Sequence, residues 1–269
     1  MKKTGPILAL AATALLTPHA MADTLDNVRQ SISGTIPLET GAGEENSGVY
    51  LRVNTAANFL DGGTSGVKIQ GIPLNPNLVT GIQNGKISYH TGMALNLGLG
   101  IPLTPNLAVE ISSGFAYNPV DDVTGTWLSG PASSDTISGG DGNTYQVPLV
   151  AELAFSIYDN NTLQVNLRGG IGVQWTFMDI NNFYASSAPA SKASLTGDAL
   201  TFRYQFGIEA LIKVAPNISV GANLGYSGTT DSDFGEDAFS PNAGLAGEPA
   251  VKTDEFQNIT LGIGLKIEF

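Results

Sequence analysis

From residue 49 onward, apolar and polar side chains alternate with a period of two in eight stretches, the repeat of a pleated strand whose two faces meet different surroundings. In VYLRVNTAANF (49–59), Val49, Leu51, Val53, Ala57 and Phe59 take one face and Arg52, Asn54 and Asn58 the other. In ISYHTGMALNLGL (87–99), Ile87, Tyr89, Met93, Leu95, Leu97 and Leu99 oppose Ser88, His90, Gly92, Asn96 and Gly98. The pattern returns at 107–117, 147–157, 163–177, 200–214 and 218–226. It closes with ITLGIGLKIEF, where Ile259, Leu261, Ile263, Leu265, Ile267 and Phe269 form one wholly apolar face. Such a face packs on a sandwich core or faces lipid.

The connections separate these two possibilities. IPLTPN (101–106), YDNN (158–161) and APN (215–217) are short and rich in the residues that set up tight turns. The others, about 60–86, 118–146, 178–199 and 227–257, are long, and short strictly alternates with long. An up-and-down barrel predicts this alternation and a Greek-key sandwich does not. Most of the strands reach the roughly 9–11 residues that a tilted strand needs to cross a hydrocarbon core. On the apolar face Phe59, Tyr89, Phe115, Tyr117, Trp175, Phe177, Phe202 and Tyr226 gather at the long-loop end, with Phe155 and Phe269 at the other. Two aromatic girdles are what interfacial anchoring would produce. The predicted fold is therefore all-β, an eight-stranded antiparallel up-and-down transmembrane barrel over residues 48–269.

The amino terminus agrees with export. MKK, the apolar ILALAATALL and the A-x-A site at 20–22 read as a signal peptide over 1–22, followed by a periplasmic segment, 23–47, whose Gly/Glu-rich end reads as a linker. The chain has no cysteine, hence no disulfide or thiolate metal site, and nothing beyond the signal approaches a membrane helix. It carries 12 basic and 24 acidic residues; losing the signal removes Lys2 and Lys3 and no acid, leaving a net charge of −14. Nucleic acid is thereby a poor partner.

With these features the chain resembles the eight-stranded bacterial outer-membrane β-barrel superfamily, the group of the OmpA membrane domain, OmpX and OmpW, over about residues 48–269. The terminal ITLGIGLKIEF looks like that group's C-terminal assembly signal, with Phe269 the residue that the barrel-assembly machinery recognises. The resemblance implies residence in the bacterial outer membrane, contact with its lipid and lipopolysaccharide, periplasmic termini and four surface loops meeting host or phage ligands.

The inward parity carries Arg52, His90, Glu110, Glu152, Arg168, Arg203, Glu209, Lys213, Lys266 and Glu268, interleaved with glycines that leave room for long side chains. A ring of eight strands is only wide enough for its own side chains. The charges are therefore read as a paired core network of Arg52, Glu110, Glu152, Arg168, Arg203, Glu209, Lys213, Lys266 and Glu268, since an unpaired buried charge costs several kcal/mol. A narrow ion path is the competing reading.

No catalytic set can be named. His90 is the one histidine after the signal, with Ser88 as its only same-face hydroxyl neighbour, so nucleophile, base and orienter are not all present. DSDFGED (231–237) fails the calcium-loop spacing, with Gly235 at the third ligand position and Glu236 where the turn glycine belongs. Neither a metal nor a cofactor is expected. The acidic loops read as solvated surface, or as carboxylates that divalent cations bridge to lipopolysaccharide. The expected role is non-enzymatic, structural or surface-interacting, with a side-chain-filled lumen; the alternative is a small porin or transport barrel for small or apolar solutes.

Overall fold

The computed structural model describes residues 48–61, 66–70, 80–129, 134–190, 192–235, 238–241 and 250–269. The expected signal peptide and periplasmic segment lie outside the described residues.

Strand-forming alternation yields β1 (Tyr50–Asp61), β2 (Gly66–Gln70), β3 (Thr80–Tyr89), β4 (Gly92–Thr104), β5 (Leu107–Ser129), β6 (Ser134–Asp159), β7 (Leu163–Ala185), β8 (Lys192–Ala215), β9 (Ile218–Thr229), β10 (Ser232–Gly235), β11 (Phe239–Pro241), β12 (Ala250–Thr253) and β13 (Gln257–Glu268). Eight of them close into an antiparallel ring, β1–β4–β5–β6–β7–β8–β9–β13 and back to β1. The seam joins the ends of the chain: Leu51 lies opposite Ile267, and the Phe269 amide donates to the Val49 carbonyl at 2.9 Å. Closure leaves no unpaired sheet edge, the condition for a sheet in hydrocarbon.

Around the ring the apolar parity points outward. Met93, Leu95, Ile111, Leu153, Ile171, Phe206, Leu224, Leu261 and Ile263 are all exposed, while the alternate positions Arg52, Asn54, Glu110, Glu152, Gln174 and Glu209 are buried. This inverts the usual globular arrangement and fits a barrel whose solvent is lipid.

Four strands outrun the ring. β5, β6, β7 and β8 are 23–26 residues long, about twice what a tilted crossing requires. Their far halves occupy most of two of the four long connections, 118–146 and 178–199. There β3 continues the line of β4 along β5, with Tyr89 opposite Val120 and Met93 opposite Tyr117. β2 joins β3 to β12, β12 pairs with β10, and β11 with β8. Above the outward apolar band the alternation reverses. On β7, Trp175 and Phe177 face out and Gln174 and Thr176 in; one step further Met178 and Ile180 are buried and Asp179 is exposed. Leu60, Ile87, Val123, Ile137, Leu195, Phe234, Val251 and Phe256 join them in an apolar core. The lower storey thus has a greasy outside and a polar inside, and the upper storey the reverse.

Candidate functional site in the barrel interior

The lower storey is held by charges whose placement follows from register. Glu110 on β5 sits directly opposite Glu152 on β6, a like-charge pair that would repel if left alone. Arg52 from β1 and Arg168 from β7 converge on it. Arg52 Nη2 lies 2.5 Å from Glu110 Oε1 and 3.4 Å from Glu152 Oε1; Arg168 Nη2 lies 2.6 Å from Glu110 and 3.1 Å from Glu152. Arg168 Nη1 also reaches Glu209 Oε2 at 3.7 Å, and Asn166 Nδ2 donates to the same oxygen at 3.3 Å. Glu110 is wholly buried. Glycine makes this crowding possible: a Cβ at Gly98 would collide with the Glu110 carboxylate, and one at Gly170 would lie 2.7 Å from Glu152 Cγ.

The expected network is thus divided. Arg52, Glu110, Glu152, Arg168 and Glu209 come together. Lys213, Lys266 and Glu268 stand apart at the short-turn mouth, where Lys213 pairs with Asp159 at 2.9 Å and Lys266 with Glu268 at 2.7 Å. These pairs line a cavity of about 260 Å³. Arg203 reaches no carboxylate among the described residues; its Nε donates to Gln205 Oε1 at 3.1 Å and its Nη1 to Gln174 Oε1. Tyr50, Ser112 and Asn166 belong to the interior set but carry no charge to flag them. Tyr50 shares the parity of Arg52, and its ring lies 4.6 Å from Lys266 Nζ.

Above the ion cluster lies a belt of neutral polar side chains. Asn58 Nδ2 donates to Asn118 Oδ1 at 2.6 Å and to Asn258 Oδ1 at 3.2 Å, and Gln174 Nε2 to Thr176 Oγ1 at 3.0 Å. The apolar core of the upper storey begins beyond them. From the short turns upward the interior reads ions, amides and hydroxyls, then hydrocarbon.

Of the expected outward aromatics, Phe59, Phe115, Trp175, Phe177 and Phe202 are exposed, and Tyr117 and Tyr226 share the outward parity. Tyr145 and Tyr204 join them: Tyr145 lies 5.4 Å from Tyr117 and Tyr204 lies 6.3 Å from Tyr226, between ring centroids. Tyr89 is corrected. It faces the interior, its hydroxyl accepting from Thr144 Oγ1 at 3.3 Å and its ring packing against the upper core. The cause is a break at His90–Thr91 between β3 and β4, with a register shift at Ser88/Tyr89, which resets the phase that a continuous strand would have kept. The same break turns His90, expected inside, out to solvent, where its Nε2 lies 3.2 Å from Asp121 Oδ1 and its side chain is 63 % exposed.

Among the described acids of the long connections, Asp121, Asp141, Asp179 and Asp198 ride on strands and are exposed along the upper rim, and Asp231 is exposed between β9 and β10. Asp135 ties the β6 tip to the turn after β7: hydrogen bonds from the Ser187 hydroxyl and amide, and from the Thr136 amide, hold its carboxylate below the usual aspartate range. A depressed value means that this tie is present above the ordinary value of 3.8 and is lost as pH falls through the lower one. An NMR titration of the Ser187 amide is expected to show its midpoint below 3.8; a midpoint at or above that value would mean that the tie is absent in solution.

The profile of a family described as the outer membrane protein beta-barrel domain matches residues 8–268. Among solved structures, the outer membrane protein OprG from Pseudomonas aeruginosa aligns at 16 % identity over 82 % of this chain and 96 % of that one, with a TM-score of 0.46. Neisserial surface protein A aligns at 10 % identity over 84 % and 100 %, TM-score 0.43. The outer membrane protease OmpT from Escherichia coli aligns at 10 % over 86 % and 99 %, TM-score 0.42. No curated protein matches.

Proposed function

Because the chain belongs to the outer membrane protein beta-barrel family and resides in the bacterial outer membrane, we propose that it works as a closed, non-enzymatic surface barrel whose long strands carry a packed, acidic platform outward. The observation that carries this reading is the stacking of two closures: the Arg52–Glu110–Glu152–Arg168–Glu209 cluster below and the hydrocarbon core around Phe256 above. An ion crossing such an interior would have to open a buried charge cluster and then leave water altogether, and each step opposes conduction. A barrel stiffened at both levels suits a role in which its rim, and not its lumen, meets partners.

The exposed aspartates of the rim make cationic ligands, or anionic ones such as lipopolysaccharide bridged by divalent cations, the chemistry expected there. At the short-turn end, Phe269 is the residue expected to engage the assembly machinery. Non-enzymatic work is supported by the position of His90, exposed beside Asp121 and separate from the buried acids. The testing experiment is conductance of the refolded chain in a planar bilayer at high salt. The wild type is expected to stay silent, and a variant with Glu110 and Arg168 both changed to alanine to open intermittently. Steady openings from the wild type would replace this reading with a small porin.

A further inference from the structure

Arg203 is an interior cation that the closed-barrel reading leaves unused. Its guanidinium offers five N–H donors, and the acceptors it meets, the side-chain oxygens of Gln174 and Gln205, are both neutral. Hydrogen bonds to neutral amides satisfy donors but supply no salt bridge; Glu152 acts on the guanidinium only from longer range, and burying a charge without a close partner costs several kcal/mol.

A cavity of about 80 Å³ opens beside it. Its lining includes three guanidinium groups, Arg52, Arg168 and Arg203, against a single carboxylate, Glu152. That carboxylate is already engaged by Arg52 at 3.4 Å, by Arg168 at 3.1 Å and by the Ser112 hydroxyl. The same cavity is lined by Asn223, whose buried Nδ2 finds no acceptor. Gly207 and Gly225 stand opposite each other across β8 and β9 on the inward parity and put no side chain into the space.

We propose that this cavity is a binding site for a small monovalent inorganic anion of halide size, held chiefly by Arg203. Arg203 selects an anion: Arg52 and Arg168 are already held by Glu110, Glu152 and Glu209, and Arg203 is the lining guanidinium without a salt bridge among the described residues. The volume suits a small one: a water molecule needs about 10–15 Å³ of such space, so the cavity accommodates a halide with a few waters. The surrounding donors, a guanidinium and an amide, suit an ion that only accepts. Water alone would satisfy the N–H groups and leave the charge standing.

The test uses the full chain refolded in detergent micelles, with unfolding followed in sodium chloride, sodium bromide or sodium gluconate at equal ionic strength. Ligand that binds only the folded state multiplies the folding constant by one plus its concentration over Kd. Chloride and bromide are therefore expected to raise stability over gluconate, with a close to tenfold gain in the folding constant for each tenfold rise in halide above Kd. Arg203→Gln is expected to abolish the halide response, and Lys213→Gln, at the mouth, to keep it. A wild type indifferent to halide, or an Arg203→Gln variant that still responds, overturns the proposal. Should Arg203→Gln fail to fold, bromide soaked into wild-type crystals decides: an anomalous peak beside Arg203 supports the site, and an empty cavity overturns it. Conductance is a separate readout, so a silent barrel that binds halide and a conducting one that does not are distinguishable.

Discussion

Alanine in place of Glu110 is expected to lower the unfolding free energy of the refolded protein by about 3–5 kcal/mol, the cost of removing one partner from a buried ion cluster. The side chain is wholly buried and binds two arginines, Arg52 at 2.5 Å and Arg168 at 2.6 Å. Its loss leaves two guanidinium groups sharing Glu152 and Glu209 across a widened gap. Most of the penalty comes from the charges left behind. Replacing Glu110 and Arg52 together with methionine is therefore expected to cost clearly less than the two single changes added, because a neutral, well-packed pair replaces an ionic one. Equilibrium urea unfolding in lipid vesicles, read by tryptophan fluorescence, measures both. A single-variant loss under about 1 kcal/mol, the range of solvated ion pairs, would mean that water fills the lower lumen, and the closed-barrel reading would fall with it.

The cluster was legible because parity and turns are both local signals. Arg52, Glu110, Glu152, Arg168 and Glu209 fall on the polar face of their strands, and short turns such as 105–106 fix how neighbouring strands face one another. The same logic placed Phe59, Phe115, Trp175, Phe177 and Phe202 outside. What parity does not contain is reach. Lys213 and Lys266 share it with the central acids, yet they sit at the mouth and bind Asp159 and Glu268, because distance along the barrel axis decides which charges meet. Arg203 has the right parity as well, but its level offers glutamines and no carboxylate.

The long connections were misread for a physical reason. Outward apolar alternation marks a strand only while its outside is lipid; beyond the membrane the outside is water and the same strand carries its apolar residues on the other parity. Phe177, Met178, Asp179 and Ile180 contain that reversal within four residues. Searched for a single phase, the stretch reads as the end of a strand, and residues 178–199 as loop. Tyr89 is misplaced for a different reason, the break at His90–Thr91 that resets the backbone phase itself. A search that allows the apolar parity to invert once per strand recovers β5 to β8 at close to their full length.

Phe256→Ala is expected to separate the two storeys. Phe256 is fully buried, meets Phe234 edge-on at 6.5 Å between ring centroids, and exchanges backbone contacts with Thr229, whose amide donates to its carbonyl and whose hydroxyl accepts from its amide, both at 3.0 Å. Truncating a buried phenylalanine costs about 3–5 kcal/mol. The loss falls on the upper core, which shares few side chains with the ion cluster, so the opening is local. Trypsin reports it: Lys252 on β12 is exposed and paired only at the surface, with Asp233 at 3.3 Å, and cleavage there requires the strand to leave the sheet. When opening is fast relative to cutting, the rate follows the open population, and about 3–5 kcal/mol raises that population a hundredfold or more. The folded band on an unboiled gel, which reports the ring, is expected to stay unchanged. Wild-type protein cut at Lys252 as fast as the variant would mean that no packed storey stands above the membrane, while joint loss of both signals would mean that the two storeys fold as one unit and that the upper core helps to hold the ring closed.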